Sequence, residues 1–197
     1  MWDARSRLAL KFKTRRRVEG ECHARALNWS CYRNQPLLEL DAACQWLVDR
    51  IELARQRHRF DLWAWCIMPT HVHLLIYPGP PGTASPVSEI LRSIKLPVAQ
   101  HAVAWAKRND RYALACMEHR YPSGAISHRF WQRGGGYDRN LLEPQSILEM
   151  INYIHQNPVE EGLCARAADW RWSSAATFDD SSKGVLALNL ESLPPIT

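Results

Sequence analysis

Two histidines stand one residue apart in the run Met68-Pro69-Thr70-His71-Val72-His73-Leu74-Leu75. Side chains alternate along a strand, so on an extended segment His71 and His73 project together, roughly 7 Å apart along the chain. Two imidazoles on one rigid strand can begin a divalent-metal site, although a lone His-x-His is more often a pair of surface hydrogen-bonders. Far downstream, in Tyr153-Ile154-His155-Gln156-Asn157, a phenol and an amide are spaced i, i+4 and share one face of a helix. The Asn157 amide oxygen suits a hard cation such as Mg²⁺ or Mn²⁺. A cation held by His71, His73 and Asn157 would stand close to the Tyr153 hydroxyl. The plainer alternative is a tyrosine packed on a sheet and an asparagine closing a helix. Glu149 and Gln156 are nearby candidates for orienting water or substrate, and His155 falls on the apolar side as a core histidine.

The elements that must position these groups follow from periodicity and chain breakers. Ala26–Tyr32 alternates as a strand, and Asp41 can cap a helix to about His58 with Ala43, Leu47, Ile51 and Ala54 at helical spacing. Phe60–Met68 reads as a buried strand, Pro69-Thr70 breaks it, and His71–Tyr77 is the next. The Pro/Gly run after Tyr77 is a loop, and Ser85-Pro86 opens a helix toward Lys107. Residues 108–125 show no clear period. A strand is expected within Ile126–Leu142, interrupted by Gly134-Gly135-Gly136. A last helix is expected over Pro144–Asn157, stopped there because a residue before proline avoids helical geometry. This βαββαβ order predicts an α+β fold, a ferredoxin-like (RRM-like) sandwich with helices on one face and an additional C-terminal helix carrying the tyrosine.

The chain has 197 residues, 46% of them hydrophobic and 23% charged, suiting one globular domain and excluding a disordered chain. No apolar run approaches the ~20 residues of a membrane span. The six cysteines form no CxxC pair, which argues against a zinc ribbon and for reduced core thiols in a cytoplasmic protein. Lys and Arg total 25 against 20 Asp and Glu. The excess sits on an N-terminal arm, residues 1–20, that includes Arg15, Arg16 and Arg17, and on residues 107–139. Together these predict salt-sensitive contact with nucleic acid. Around the glycine run, Trp131 could stack on bases or pack in the core, and Arg129, Arg133 and Arg139 could hold the phosphate backbone. A single domain over 21–178 and a polar, Pro-containing tail over 179–197 complete the organisation.

Taken jointly, Met68-Pro-Thr-His-Val-His-Leu-Leu75 and Tyr153-Ile-His-Gln-Asn-Pro-Val-Glu-Glu-Gly-Leu163 resemble the REP-associated tyrosine transposases of the single-tyrosine HUH superfamily. Cys31-Tyr-Arg-Asn-Gln-Pro-Leu-Leu38, Arg129-Phe-Trp-Gln-Arg133 and Asp169-Trp-Arg-Trp-Ser-Ser174 support it in the same order. The resemblance runs from about residue 25 to 178. Thr70 replaces a usual Asn, the three glycines replace bulkier residues, and 105–124 does not align. The resemblance implies a metal-dependent endonuclease and strand transferase acting on single-stranded DNA beside a hairpin. Tyr153 would be the nucleophile, forming a 5′-phosphotyrosine, and His71, His73 and Asn157 would hold Mg²⁺ or Mn²⁺. No ATP is required, in keeping with the absence of GxxxxGK[ST]. A monomer is expected, with exchange of the tyrosine helix in a dimer as the alternative. The competing reading is a non-catalytic single-strand-binding protein on the same fold, which would need neither Tyr153 nor a metal.

Overall fold

The computed structural model describes residues 23–80, 82–134 and 136–195. Arg15, Arg16 and Arg17, with the rest of the basic arm, lie outside the described residues. The main sheet has four strands, β1 (Ala24–Ser30), β2 (Asp61–Ile67), β3 (His71–Tyr77) and β6 (Tyr137–Leu141), in the order β2-β3-β1-β6. All neighbours are antiparallel. That is the sheet order of a ferredoxin-like sandwich, and the expected α+β class is found.

Alternation splits the sheet into two apolar faces. Val72, Leu74 and Ile76 of β3, with Leu27 and Trp29 of β1, face helices α1 (Asp41–His58) and α2 (Val87–Asn109). Leu75, Ala24, Ala26 and Leu141 face the other way, against Ile147, Ile151 and Ile154 of α4 (Pro144–Glu160). The tyrosine helix therefore roofs the face opposite α1 and α2. On the α1/α2 side, Arg25 donates from Nε to Asp138 Oδ1 at 2.8 Å, and this buried pair ties β1 to β6.

Several local expectations need correction. Asp41 does not cap α1: Leu40 holds that position, and the Asp41 carboxylate instead accepts from Trp172 Nε1 at 2.8 Å. Residues 108–125 are not irregular, since they form a short helix α3 (Arg111–Cys116), capped by Asp110, and strand β4 (Glu118–Arg120). Strand β4 pairs with β5 (Ile126–His128) in a separate hairpin, so only the segment after the glycines joins the main sheet. Helix α4 does not stop at Asn157 but runs through Pro158 to Glu160. Burial of Ile154, His155, Asn157 and Pro158 outweighs the local preference before proline.

The segment that reads as a polar tail is docked. Leu186 is buried, Asn189 brackets Leu62 with its backbone amide and side-chain oxygen, and Ser192 accepts from Trp63 Nε1 at 2.8 Å. Together with residues 172–174 it covers the outer edge of β2, where Ile67 N donates to Trp172 O and Ser174 N to Trp65 O. An open strand edge is a template for aggregation, and both segments remove it. The five cysteines among the described residues are unpaired; Cys31, Cys44 and Cys66 are buried, and desolvation pushes each thiol up to about 12. Among the described residues no helix is long and apolar enough to cross a membrane.

Candidate active site

The site forms where β3 passes under α4. His71 and His73 point to the α4 face as period-2 neighbours, their ring centroids 4.8 Å apart and nearly perpendicular. The Tyr153 ring stands edge-on to His73 at 5.6 Å. Tyr153 is 47% exposed, so its hydroxyl is open to a large substrate, whereas His73 is buried at 3%. Asn157, one turn on, is also buried; its Nδ2 donates to the Tyr153 carbonyl at 2.6 Å, which leaves Oδ1 available to accept. The structure thus brings together the four residues singled out from strand and helix spacing.

Burial disfavours the charged form of both imidazoles. Burial foremost, and then the neighbouring His71, push His73 down to about 3, with the Asn157 side chain acting in the opposite sense. Burial also lowers His71, opposed by Glu161. A neutral imidazole keeps a lone pair for a metal. His73 Nε2 is buried and has no hydrogen-bond partner among the described residues, an expensive condition for a polar atom unless a ligand completes it. The Thr70 hydroxyl bonds His71 Nδ1 at 2.9 Å. When Nδ1–H is the donor, Nε2 is left free, the usual way an outer partner fixes a ligating tautomer. Two imidazole nitrogens and one amide oxygen suit a divalent cation of intermediate hardness and leave coordination positions open. Among the described residues there is no group of three or more His, Cys, Asp or Glu that could hold a metal, so the amide is essential to this donor set.

Strand pairing adds residues that the linear sequence hides. Asn28 pairs directly with His73 on one side and with Tyr137 on the other, so the two share the sheet face under the site. Glu161, the residue that closes α4, acts electrostatically on His71. The Asn28–His73 pairing was not visible without the register. Gly136 brings β6 in: a Cβ there would collide with the Asn28 carbonyl oxygen, and its φ is +66°.

The helix is held from behind by the Trp-Arg-Trp-Ser-Ser segment. His155 Nε2 bonds Ser174 Oγ at 2.8 Å, and Ser174 Oγ accepts from Trp65 N at 2.9 Å. His155 is thus a satisfied core histidine, pushed by burial down to about 4. Glu149 is exposed and accepts from Gln145, while Gln156 lies with Asn152 and Arg166 on the far side of α4 from the histidines. Trp131 is buried, with its Nε1 donating to Lys95 O and its ring edge-on to Trp29 and Phe130. Its core packing removes it as a stacking surface for bases. Arg139 sits on the α4 face of β6, opposite Ala26. Arg129, before the glycines, lies over the Tyr32 and Tyr121 rings.

The fold and site define an α+β sandwich in which a tyrosine-bearing helix crosses a His-x-His strand. Among solved structures the chain superposes on a REP-associated tyrosine transposase bound to a REP hairpin. The TM-score is 0.61 at 18% identity, over 94% of this chain and 99% of that one. A curated Haemophilus influenzae protein, provisionally named a REP-associated tyrosine transposase, is 22% identical over 121 residues, 60% of this chain. The chain matches 61% of that relative's length. No protein-family model matches. The resemblance to REP-associated tyrosine transposases is thus found by sequence and by fold separately.

Proposed function

We propose that this chain is a single-tyrosine DNA endonuclease and strand transferase acting on single-stranded DNA next to a hairpin. The observation that carries the reading is the half-exposed Tyr153 phenol standing over the buried His73, whose Nε2 has no hydrogen-bond partner among the described residues. A relative of the same fold bound to a REP hairpin supports the choice of substrate. A phenol is a weak nucleophile at neutral pH and needs its target activated and aligned. A divalent cation, Mg²⁺ or Mn²⁺, bound by His71, His73 and Asn157 would polarise the scissile P–O bond and neutralise its charge.

The chain's own groups do the remainder. Tyr153 Oη attacks phosphorus in line, its proton passing to solvent at the exposed face. The P–O3′ bond breaks, leaving a free 3′-OH and a 5′-phosphotyrosine. Bond energy is retained in the ester, so a 3′-OH can displace Tyr153 and rejoin the strand without ATP. His155, Ser174 and Trp65 keep α4 at a fixed height over β3, and small errors in such placement are costly in rate.

The test is covalent trapping: hairpin-bearing single strands are incubated with Mg²⁺ or Mn²⁺, with and without EDTA, and resolved on denaturing gels. A metal-dependent adduct is expected in the parent protein and none in Tyr153→Phe. An adduct of equal yield in Tyr153→Phe, or none from the parent across a broad hairpin set, would sink the assignment.

A further inference from the structure

Hairpin β4–β5, in a stretch no motif accounts for, builds a second cluster at the His71 end of the sheet. Just past β1, Cys31 donates its amide to Thr70 O at 2.7 Å, and Tyr32 donates to Phe130 O at 2.8 Å. The Tyr32 hydroxyl bonds His119 Nδ1 at 2.9 Å. The His119 ring is edge-on to Tyr32 at 6.0 Å and to Tyr121 at 4.7 Å. Two guanidinium groups lie over these rings: Arg33 is 5.0 Å from Tyr32, and Arg129 is 5.9 Å from Tyr32 and 5.5 Å from Tyr121. Arg133 adds its charge to the same group, acting on both His119 and Tyr121.

Among the described residues no ion pair neutralises this charge. None of Arg33, Arg129 and Arg133 pairs with a carboxylate among the described residues, and Glu118 is taken by Arg120 at 2.6 Å. The backbone is also held in an uncommon form: Arg33 and Asn34 have φ of +54° and +52°, left-handed values that non-glycine residues adopt at a cost. Such strain persists only where surrounding bonds fix it and gathers at ligand sites. Here Gln132 Oε1 accepts from the Arg33 amide and Cys31 O from the Asn34 amide. Aromatic faces beside unpaired guanidinium groups match the two halves of a nucleotide, a base to stack and a phosphate to pair. Tyr121 is 37% exposed, which leaves a ring surface open.

We infer that His119 and Tyr121, set against the buried Tyr32 ring, form with Arg33, Arg129 and Arg133 a platform that takes an unpaired nucleotide of single-stranded DNA just outside the cleavage centre. The inference rests on the proposed function for the polymer concerned, but not on cleavage. It is tested in a Tyr153→Phe background by fluorescence anisotropy with labelled mixed-sequence single strands and the matching duplex. Tyr121→Ala should weaken single-strand binding roughly 5- to 100-fold, the range of one lost stacking contact. Tyr121→Phe, which keeps the ring, should stay within about twofold of the parent, and duplex binding should not move. Unchanged single-strand affinity in both Tyr121→Ala and the Tyr121→Ala/His119→Ala pair would overturn the platform, as would an equal loss on duplex. A matching circular dichroism spectrum confirms that a loss is not unfolding. Adduct formation by the Tyr153 protein is scored separately: an adduct with unchanged single-strand affinity in the variants refutes the platform alone. No adduct, with the affinity loss present, refutes only the cleavage reading.

Discussion

At the proposed metal site, the Thr70 hydroxyl is placed to orient one imidazole. Thr70 stands where an asparagine is usual in the resembling family, yet its Oγ1 reaches His71 Nδ1 at 2.9 Å and can hold the ring with Nε2 outward. Outer partners of this kind are worth about 10- to 100-fold in metal affinity. Thr70→Val is therefore expected to weaken Mn²⁺ binding by roughly that factor in calorimetric titration, with Thr70→Ser restoring it. Asn157→Ala should cost more, because it removes the only oxygen donor of the set; unchanged Mn²⁺ affinity would exclude Asn157 as a ligand. The candidate site residues were legible at this scale because period 2 pairs His71 with His73 and i, i+4 pairs Tyr153 with Asn157. Asn28 was not legible, since only cross-strand register sets it beside His73.

At the scale of elements, α4 carries Tyr153 and Asn157, and its seating depends on the buried His155. His155 lies at about 4 through burial, against an ordinary 6.5, so the unfolded chain takes up a proton at higher pH than the folded one. Stability from this group is whole above pH 6.5, erodes as pH falls, and is lost below about 4. The full effect is about 3 kcal/mol from a shift of this size. Thermal melts from pH 7 to 4 should show this slope in the parent and a shallower one in His155→Gln, even if that variant starts lower. A parallel slope would mean that His155 does not carry the linkage. Gly136 acts on β6 in the same positional sense: Gly136→Ala combines a positive φ with a collision on Asn28 O. It is expected to reduce both the melting temperature and adduct yield. The end of α4 is not legible in the sequence because a proline rule is local, whereas burial of Ile154, His155, Asn157 and Pro158 is tertiary.

Across the whole molecule, charge and chemistry are segregated. Residues 107–139 carry seven Lys and Arg against three acids, and residues 140–197 carry three against eight. The basic surface thus approaches the site from the β4–β5 end while α4 itself is acidic. Affinity for single strands should fall linearly on a log–log plot against salt, and Arg129→Gln should reduce the slope by roughly 0.7, the value of one phosphate contact. A slope that Arg129→Gln leaves unchanged would place the backbone path elsewhere. The sequence by itself determined the α+β order, the paired histidines and the tyrosine-asparagine face, because these depend on local periods of 2 and 3.6 that residue spacing records. Only the tertiary structure decided that Trp131 is core, that the tail seals the β2 edge, and that Tyr32, His119 and Tyr121 gather near His71. Those outcomes depend on contacts between residues far apart in the chain, such as Trp63 with Ser192, 129 positions away, and no local period encodes them.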